Sequence, residues 1–584
     1  MSTATSSSSI TRTAALSAPR RARLRGDGVQ GLVWFITAVL VVVPLLPLIY
    51  ASVRSRPLYQ AGGTFTLQGY RTLLSDPAFW TAALNTLEFA VTVTAISITV
   101  GGVLAVLCER TDLPGRTLLL WTAILPILLP PLGLILGWTT LYGDGGYLTG
   151  FITGTLHVPW DLGTPWGMGV MGAAVSVPIA LITVRAALRG SDPSLEEAAR
   201  STGASTLTVL ARITVPMLRP ALLSAAVLIF TISLEQLGIP IFLGAQHNVN
   251  FLASYLYTTW SNASTPDPAS VSAGAVLFLA VATALIILRR RLLGAEERFA
   301  GRSDAREVRP LPLRRWRVPV TLLVIAYLVV TAFAPIGGVI LASFVSLLTP
   351  LISPFHLLTL DNFRTVFQDP TMSSSIRNSL IVGAAGSVAT TGLIAVATLV
   401  AHRSRFLLRQ SLRFLMLYPR SVPGVIISLA FFWSFLFFVP PGAWVRTNLV
   451  GECIALGVRG IPLAYMIMYP ALTRIATDLD DAARVAGAGW WATSRRIVLP
   501  LLRPAVLGSL LILFIAILND YEAAIFLAQP NTQLMSVEML QLYARGTEGP
   551  VAALAVLQVA ITVGVLTLGG LFFKRMTRGG RSRA

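Results

Sequence analysis

The chain has 584 residues, of which 54% are hydrophobic and 12% charged, with a mean hydropathy of +0.72 and a formal net charge of +19. A soluble domain of that length would not cover so much apolar surface, so the composition excludes a soluble enzyme and makes the bilayer the solvent. Two cysteines, Cys108 and Cys453, fall near opposite ends of apolar runs and support neither a disulfide framework nor a thiolate metal site.

Residues 1–30 begin Ser/Thr-rich and continue through Arg20, Arg21, Arg23 and Arg25, which predicts a disordered basic cytosolic tail. The apolar run that follows, 31–52, is longer than the core of a cleaved signal peptide and reads as a first membrane helix. Further runs at 80–107, 117–141, 166–188, 218–243, 270–288, 318–347, 379–401, 413–437, 452–472, 504–528 and 551–573 bring the expected spans to twelve. Each is long enough, at about 1.5 Å per residue, to cross a hydrocarbon layer of about 30 Å.

With the N-terminus inside, inner segments hold 36 of the 45 Lys+Arg and outer segments hold 7, the others being Arg420 and Arg459 within spans. The positive-inside rule then assigns both termini to the cytosol. The net charge follows from this topology and from anionic lipid, and calls for no nucleic acid. Ten of the Arg lie in 289–317, a stretch without apolar periodicity that reads as a cytosolic linker. It separates a first module, 31–288, from a second, 318–573, with a basic cytosolic tail at 574–584.

The modules repeat. Glu197-Ala198-Ala199, Gly203, Ile213 and Pro216 recur 284 positions later as Asp481-Ala482-Ala483, Gly487, Ile497 and Pro500. Upstream, Asp76-Pro77, Asn85, Pro126 and Pro130 recur as Asp369-Pro370, Asn378, Pro419 and Pro423 at an offset of 293; the offset then drops by nine because the first module has the longer outer loop, 142–165. Two six-span units of one orientation imply a pseudo-twofold along the membrane normal: an all-α polytopic membrane protein with a possible pathway at the seam. Small Ala side chains allow close approach of another surface, the two glycines allow a positive-φ exit from a helix, and Pro216 and Pro500 are expected to open the next membrane helix.

The loop pattern E-A-A-x3-G-x9-I-x-L-P, met here from Glu197 to Pro216 with Val215 at the Leu place and from Asp481 to Pro500 with Leu499, resembles the cytosolic signature of ABC importer permeases. Two such modules in one chain resemble the fused, binding-protein-dependent permeases of the ferric iron type; similar permeases serve phosphonates such as 2-aminoethylphosphonate, thiamine and polyamines. The resemblance implies a type I importer fold in the inner (cytoplasmic) membrane, one permease chain per transporter, two separate ABC ATPase subunits docked on the two loops, and an extracytoplasmic substrate-binding protein. It further implies that Glu197 anchors the loop by a charge-assisted hydrogen bond or cap, with the shorter Asp481 making an unequal second contact. A P-loop needs a lysine, and the only one is Lys574, followed by Arg575, so ATP and Mg belong to the partner subunits and this chain is expected to be non-catalytic, with no cofactor or metal of its own.

Strongly polar residues inside spans mark pathways or structural pairs. Glu235 and Gln236 in the fifth span match Asn519 and Asp520 in the eleventh, followed by Glu522, and together suggest an acidic mouth suited to a cation; interhelical hydrogen bonding is the plainer alternative. Arg459 in the tenth span needs a partner, with Glu452 (seven residues earlier), Asp520 and Glu522 available, and is read as an ion pair, a gate or substrate contact, or a snorkelling side chain. Arg420 is expected to snorkel to the cytosolic surface, and the proline pairs to kink their helices. Twelve spans in parallel halves also describe a major-facilitator secondary transporter. The paired loops, which a proton-coupled carrier does not require, favour the ATP-driven importer over that carrier or a structural scaffold.

Overall fold

The computed structural model describes residues 20–191, 194–261, 267–293, 310–349, 351–438 and 441–581. Among them the chain is helical, with only isolated bridges such as Arg54 to Phe65 in place of strands. The first half contains α1 (Leu45–Ser52), α2 (Pro77–Arg110), α3 (Pro131–Tyr142), α4 (Pro165–Gly190), α5 (Ser194–Ser201), α6 (Arg219–Leu234) and α7 (Pro268–Leu293). The second repeats them as α8 (Ala334–Ser343), α9 (Pro370–Arg403), α10 (Gly424–Phe437), α11 (Leu449–Thr473), α12 (Asp478–Val485), α13 (Arg503–Asn519) and α14 (Glu548–Arg581).

The repeat is built by the same local chemistry twice. Asp76 caps α2 by accepting from the Ala78 amide at 2.9 Å, and Asp369 caps α9 by accepting from Thr371 and Met372 at 2.8 and 3.0 Å. In each case a proline fills the first turn, where its missing N–H leaves no bond unmade. Two turns into each helix an asparagine ties down the segment after the sixth or thirteenth helix: Asn85 donates to the Asn250 carbonyl at 3.2 Å, and Asn378 to those of Asn531 and Gln533 at 3.1 Å.

Within each half α2 packs on α4 and α6, and α9 packs on α11 and α13. Between halves the packing is exchanged: α1 lies on α10, and α8 lies on α3. Part of the seam is aromatic, with Phe242 stacked on Tyr543 at 3.8 Å between ring centroids and Trp260 edge-on to Phe432 and Trp433.

Eight described helices are long and apolar enough to cross a membrane, and three bent pairs raise the number to eleven. The twelve expected spans therefore include broken ones. The expected span 413–437 is two pieces, Arg409–Ser421 and Gly424–Phe437, meeting at 109° around Pro423, far more than a packing kink. Its counterpart 117–141 is divided by a 3-10 turn at Leu125–Leu128 just before Pro130. Of the expected N-terminal tail, 1–19 lie outside the described residues and 20–30 belong to a helix, Arg20–Val42, rather than being disordered; the expected basic tail 574–584 carries α14 on to Arg581. Of the expected linker, 289–293 completes α7, 294–309 lie outside the described residues, and Leu311 bonds to the 110–112 backbone of the first half.

Candidate functional site

The first repeated loop leaves α4, forms α5, and turns at Gly203, whose φ is +86°; the second turns after α12 at Gly487, φ +80°. In both, the helix closes with paired amide bonds: Gly203 to Arg200 and Ala204 to Ala199 at 3.0 and 3.1 Å, then Gly487 to Arg484 and Ala488 to Ala483, both at 2.9 Å. That is the left-handed C-terminal cap expected of a glycine at this place. Ala198 and Ala482 are exposed, Ala199 is half-buried and Ala483 buried, while Ile213 and Ile497 are half-buried within single π-turns.

The anchor is one residue earlier than expected. Glu197 and Asp481 lie exposed; among the described residues Asp481 pairs, at 2.9 Å, with its neighbour Arg484. Buried Glu196 instead receives Arg110 at 3.2 Å and the Thr214 hydroxyl at 2.9 Å, and Arg110 donates onward to the Leu188 carbonyl and Ser191 hydroxyl at 2.9 and 2.7 Å. In the second half Asp480 receives Arg403 at 2.6 Å, and Arg403 also donates to the carbonyls of Leu472 and Ile475. These pairs fasten each loop to the end of a helix of 34 residues, a rod of about 50 Å. The signal was in the sequence: Arg110 and Arg403 differ by 293, Glu196 and Asp480 by 284.

Pro216 and Pro500 were expected to open the crossing helices. They lie instead in short segments that meet α6 at 55° and α13 at 69°, and Pro220 and Pro504 occupy the first turns of those helices.

The intramembrane polar residues come together. Glu235, Gln236, Arg459, Asn519, Asp520 and Glu522 all line one cavity of about 330 Å³ between the halves, walled otherwise by apolar side chains of α2, α3 and α4. Arg459 reaches Asp520 at 2.7 Å, Glu522 at 2.8 Å and Glu235 at 3.5 Å. Glu452, the helical-face partner expected for it, is not among these; its buried carboxylate oxygens have no hydrogen-bond partner among the described residues. Arg420 is exposed in the 3-10 turn before α10, and its charge also acts on Glu235. A Cβ on Gly424 would lie 1.8 Å from Arg459 Nη1, so only glycine lets the guanidinium pack against this helix start. Three carboxylates against one guanidinium leave the cavity formally anionic.

Two chemically matched modules with reciprocal packing, two anchored loops and a polar cavity at their seam are what a permease requires. A family profile described as "Binding-protein-dependent transport system inner membrane component" matches residues 14–294 and 392–578. The chain belongs to this family. It is a multi-pass ABC importer permease that works with a substrate-binding protein, and the major-facilitator alternative is set aside by the match. Similar proteins include the putative ferric transport system permease protein FbpB 1 of Haemophilus influenzae, 26% identical over 82% of this chain and 75% of that one. A putative 2-aminoethylphosphonate transport permease, PhnU, of Salmonella typhimurium is 29% identical over 39% of this chain and 80% of its own. The molybdenum transport permease ModB of Escherichia coli is 35% identical over 28% of this chain and 72% of its own.

Proposed function

We propose that this permease carries a cation, ferric iron first, through the seam between its halves, driven by two ATPase subunits that dock on the loops Glu197–Pro216 and Asp481–Pro500. The observation that supports a cation is the formal excess of carboxylates over guanidinium around the cavity at Arg459. A multivalent cation would be attracted there, and an oxyanion would meet three like charges in a medium of reduced dielectric. The Arg459 Nη1, which has no hydrogen-bond partner among the described residues, is the one feature that favours a phosphonate or molybdate instead. The arginine distribution supports cytosolic termini and loops, with the binding protein on the opposite side of the inner membrane. ATP and Mg would be bound by the partner subunits.

The test is reconstitution of the permease with its ATPase subunits in proteoliposomes, offering binding proteins loaded with ferric iron, 2-aminoethylphosphonate or molybdate. Ferric-loaded protein is expected to stimulate ATP hydrolysis and import. Stimulation by an oxyanion-loaded protein alone would replace the iron reading, and import without ATP hydrolysis would overturn the coupling.

A further inference from the structure

A second polar cluster stands at the ends of the helices opposite the repeated loops. Asp144, Asp161 and His247 each offer one ligand atom, and the three atoms lie within 4.8 Å of one another. His247 Nε2 is 2.9 Å from Asp144 Oδ2, and its Nδ1 is 3.1 Å from the Leu243 carbonyl. Asp161 is oriented by the Gly163 amide, which donates to its Oδ1 at 2.7 Å.

The contacts of the ring fix its chemistry. Facing a carbonyl, Nδ1 can only donate, which in a neutral imidazole leaves Nε2 as a lone pair directed at a carboxylate oxygen. Two acceptors at that distance need a proton or a metal ion between them. A backbone carbonyl holding the far nitrogen is the usual support of a metal-binding histidine. Ligand atoms about 2.0–2.2 Å from one metal are at most about 4.4 Å apart, and the 2.9 Å between His247 Nε2 and Asp144 Oδ2 falls inside that limit.

The setting points to exchange rather than permanent residence. Asp144 is largely exposed, and Asp144 and His247 line a cavity of about 180 Å³ that Tyr543 and Glu548 of the second half complete. The cluster is also private to the first half: the pseudo-equivalent positions are Phe437, Val445 and Asn531, and two of its three ligands come from the longer loop 142–165.

We propose that Asp144, Asp161 and His247 form a transient transition-metal site at the mouth of the pathway, where a cation leaving the binding protein is first held. Two carboxylates and one imidazole suit iron and its first-row neighbours better than magnesium or calcium, which prefer oxygen alone. The identity of the ion as cargo rests on the ferric reading above.

The full chain in lipid nanodiscs is titrated with Co²⁺, read by its visible absorption, and with ferric citrate, read by bound iron. One equivalent of each is expected, with affinity lowered roughly tenfold or more in His247→Gln and in Asp144→Asn, the latter an exposed position whose change leaves the fold intact. No binding by the parent chain, or equal binding by both variants, overturns the site. Metal binding by a transporter that imports only an oxyanion would overturn the ferric reading and leave the site standing; ferric import without metal binding here would do the reverse.

Discussion

The two loops reach one geometry by different chemistry. In the first, a glutamate is long enough to accept from both Arg110 and Thr214, so one carboxylate ties α5 to α2 and to the segment descending into α6. In the second, Asp480 bonds only Arg403 among the described side chains, and the residue in place of Thr214 is Val498, buried with Leu399, Leu472 and Leu502. A Trp490 indole that donates to the Arg403 carbonyl at 2.9 Å supplies the missing polar tie. Beside the anchors, Glu109 pairs with Arg185 and Arg189 in the first half, whereas His402 bonds Tyr465 at 2.8 Å and packs on Tyr469 in the second. A repeated docking surface therefore fixes backbone shape, and leaves each copy free in how the shape is held.

The comparison breaks most severely at the arginines. Arg110→Ala and Arg403→Ala each strand a buried carboxylate, and each should destabilise its half by about 3–5 kcal/mol, measured by thermal unfolding in detergent with loss of import. Next come the glycines: a Cβ at Gly203 or Gly487 would meet nothing within 4 Å, so the main effect of Gly203→Val and Gly487→Val is backbone strain at positive φ, about 1–3 kcal/mol. Both variants should insert normally yet uncouple ATP hydrolysis from uptake, and unchanged coupling ratios would remove the docking role. A smaller effect sharpens the asymmetry. Thr214→Val removes a hydrogen bond to a charged group and should cost about 1.5–3 kcal/mol, whereas removing the Asp481–Arg484 pair by Asp481→Ala should alter stability by less than about 1 kcal/mol, since both side chains are exposed.

Much of this architecture could be read from residues. The offsets 284 and 293 gave the two modules, the Asp-Pro dipeptides marked the starts of the longest helices, and Gly203 and Gly487 marked the left-handed exits. Contacts between distant elements were less legible. Of the three acids that the sequence offers as partners, Asp520 and Glu522 do pair with Arg459, while Glu452 does not, because spacing of seven reports only on a helix's own face; Glu235, from the segment ending α6 in the other half, is a partner no spacing shows. Glu197 was chosen because the motif begins there; the buried acid beside it is distinguished only by the arginine it meets 86 residues away. Hydropathy averages over a window, so it registered 413–437 as apolar without registering the 109° turn within it.

The reciprocal placement of α1 on α10 and α8 on α3 has a consequence for how the protein is held together. Each half lends its opening helix to its neighbour's wall, so interlocked surfaces hold the halves together independently of the covalent connection. Protease cleavage between 294 and 309 should yield two fragments that copurify as one particle, and motion during transport must carry each borrowed helix along with its host.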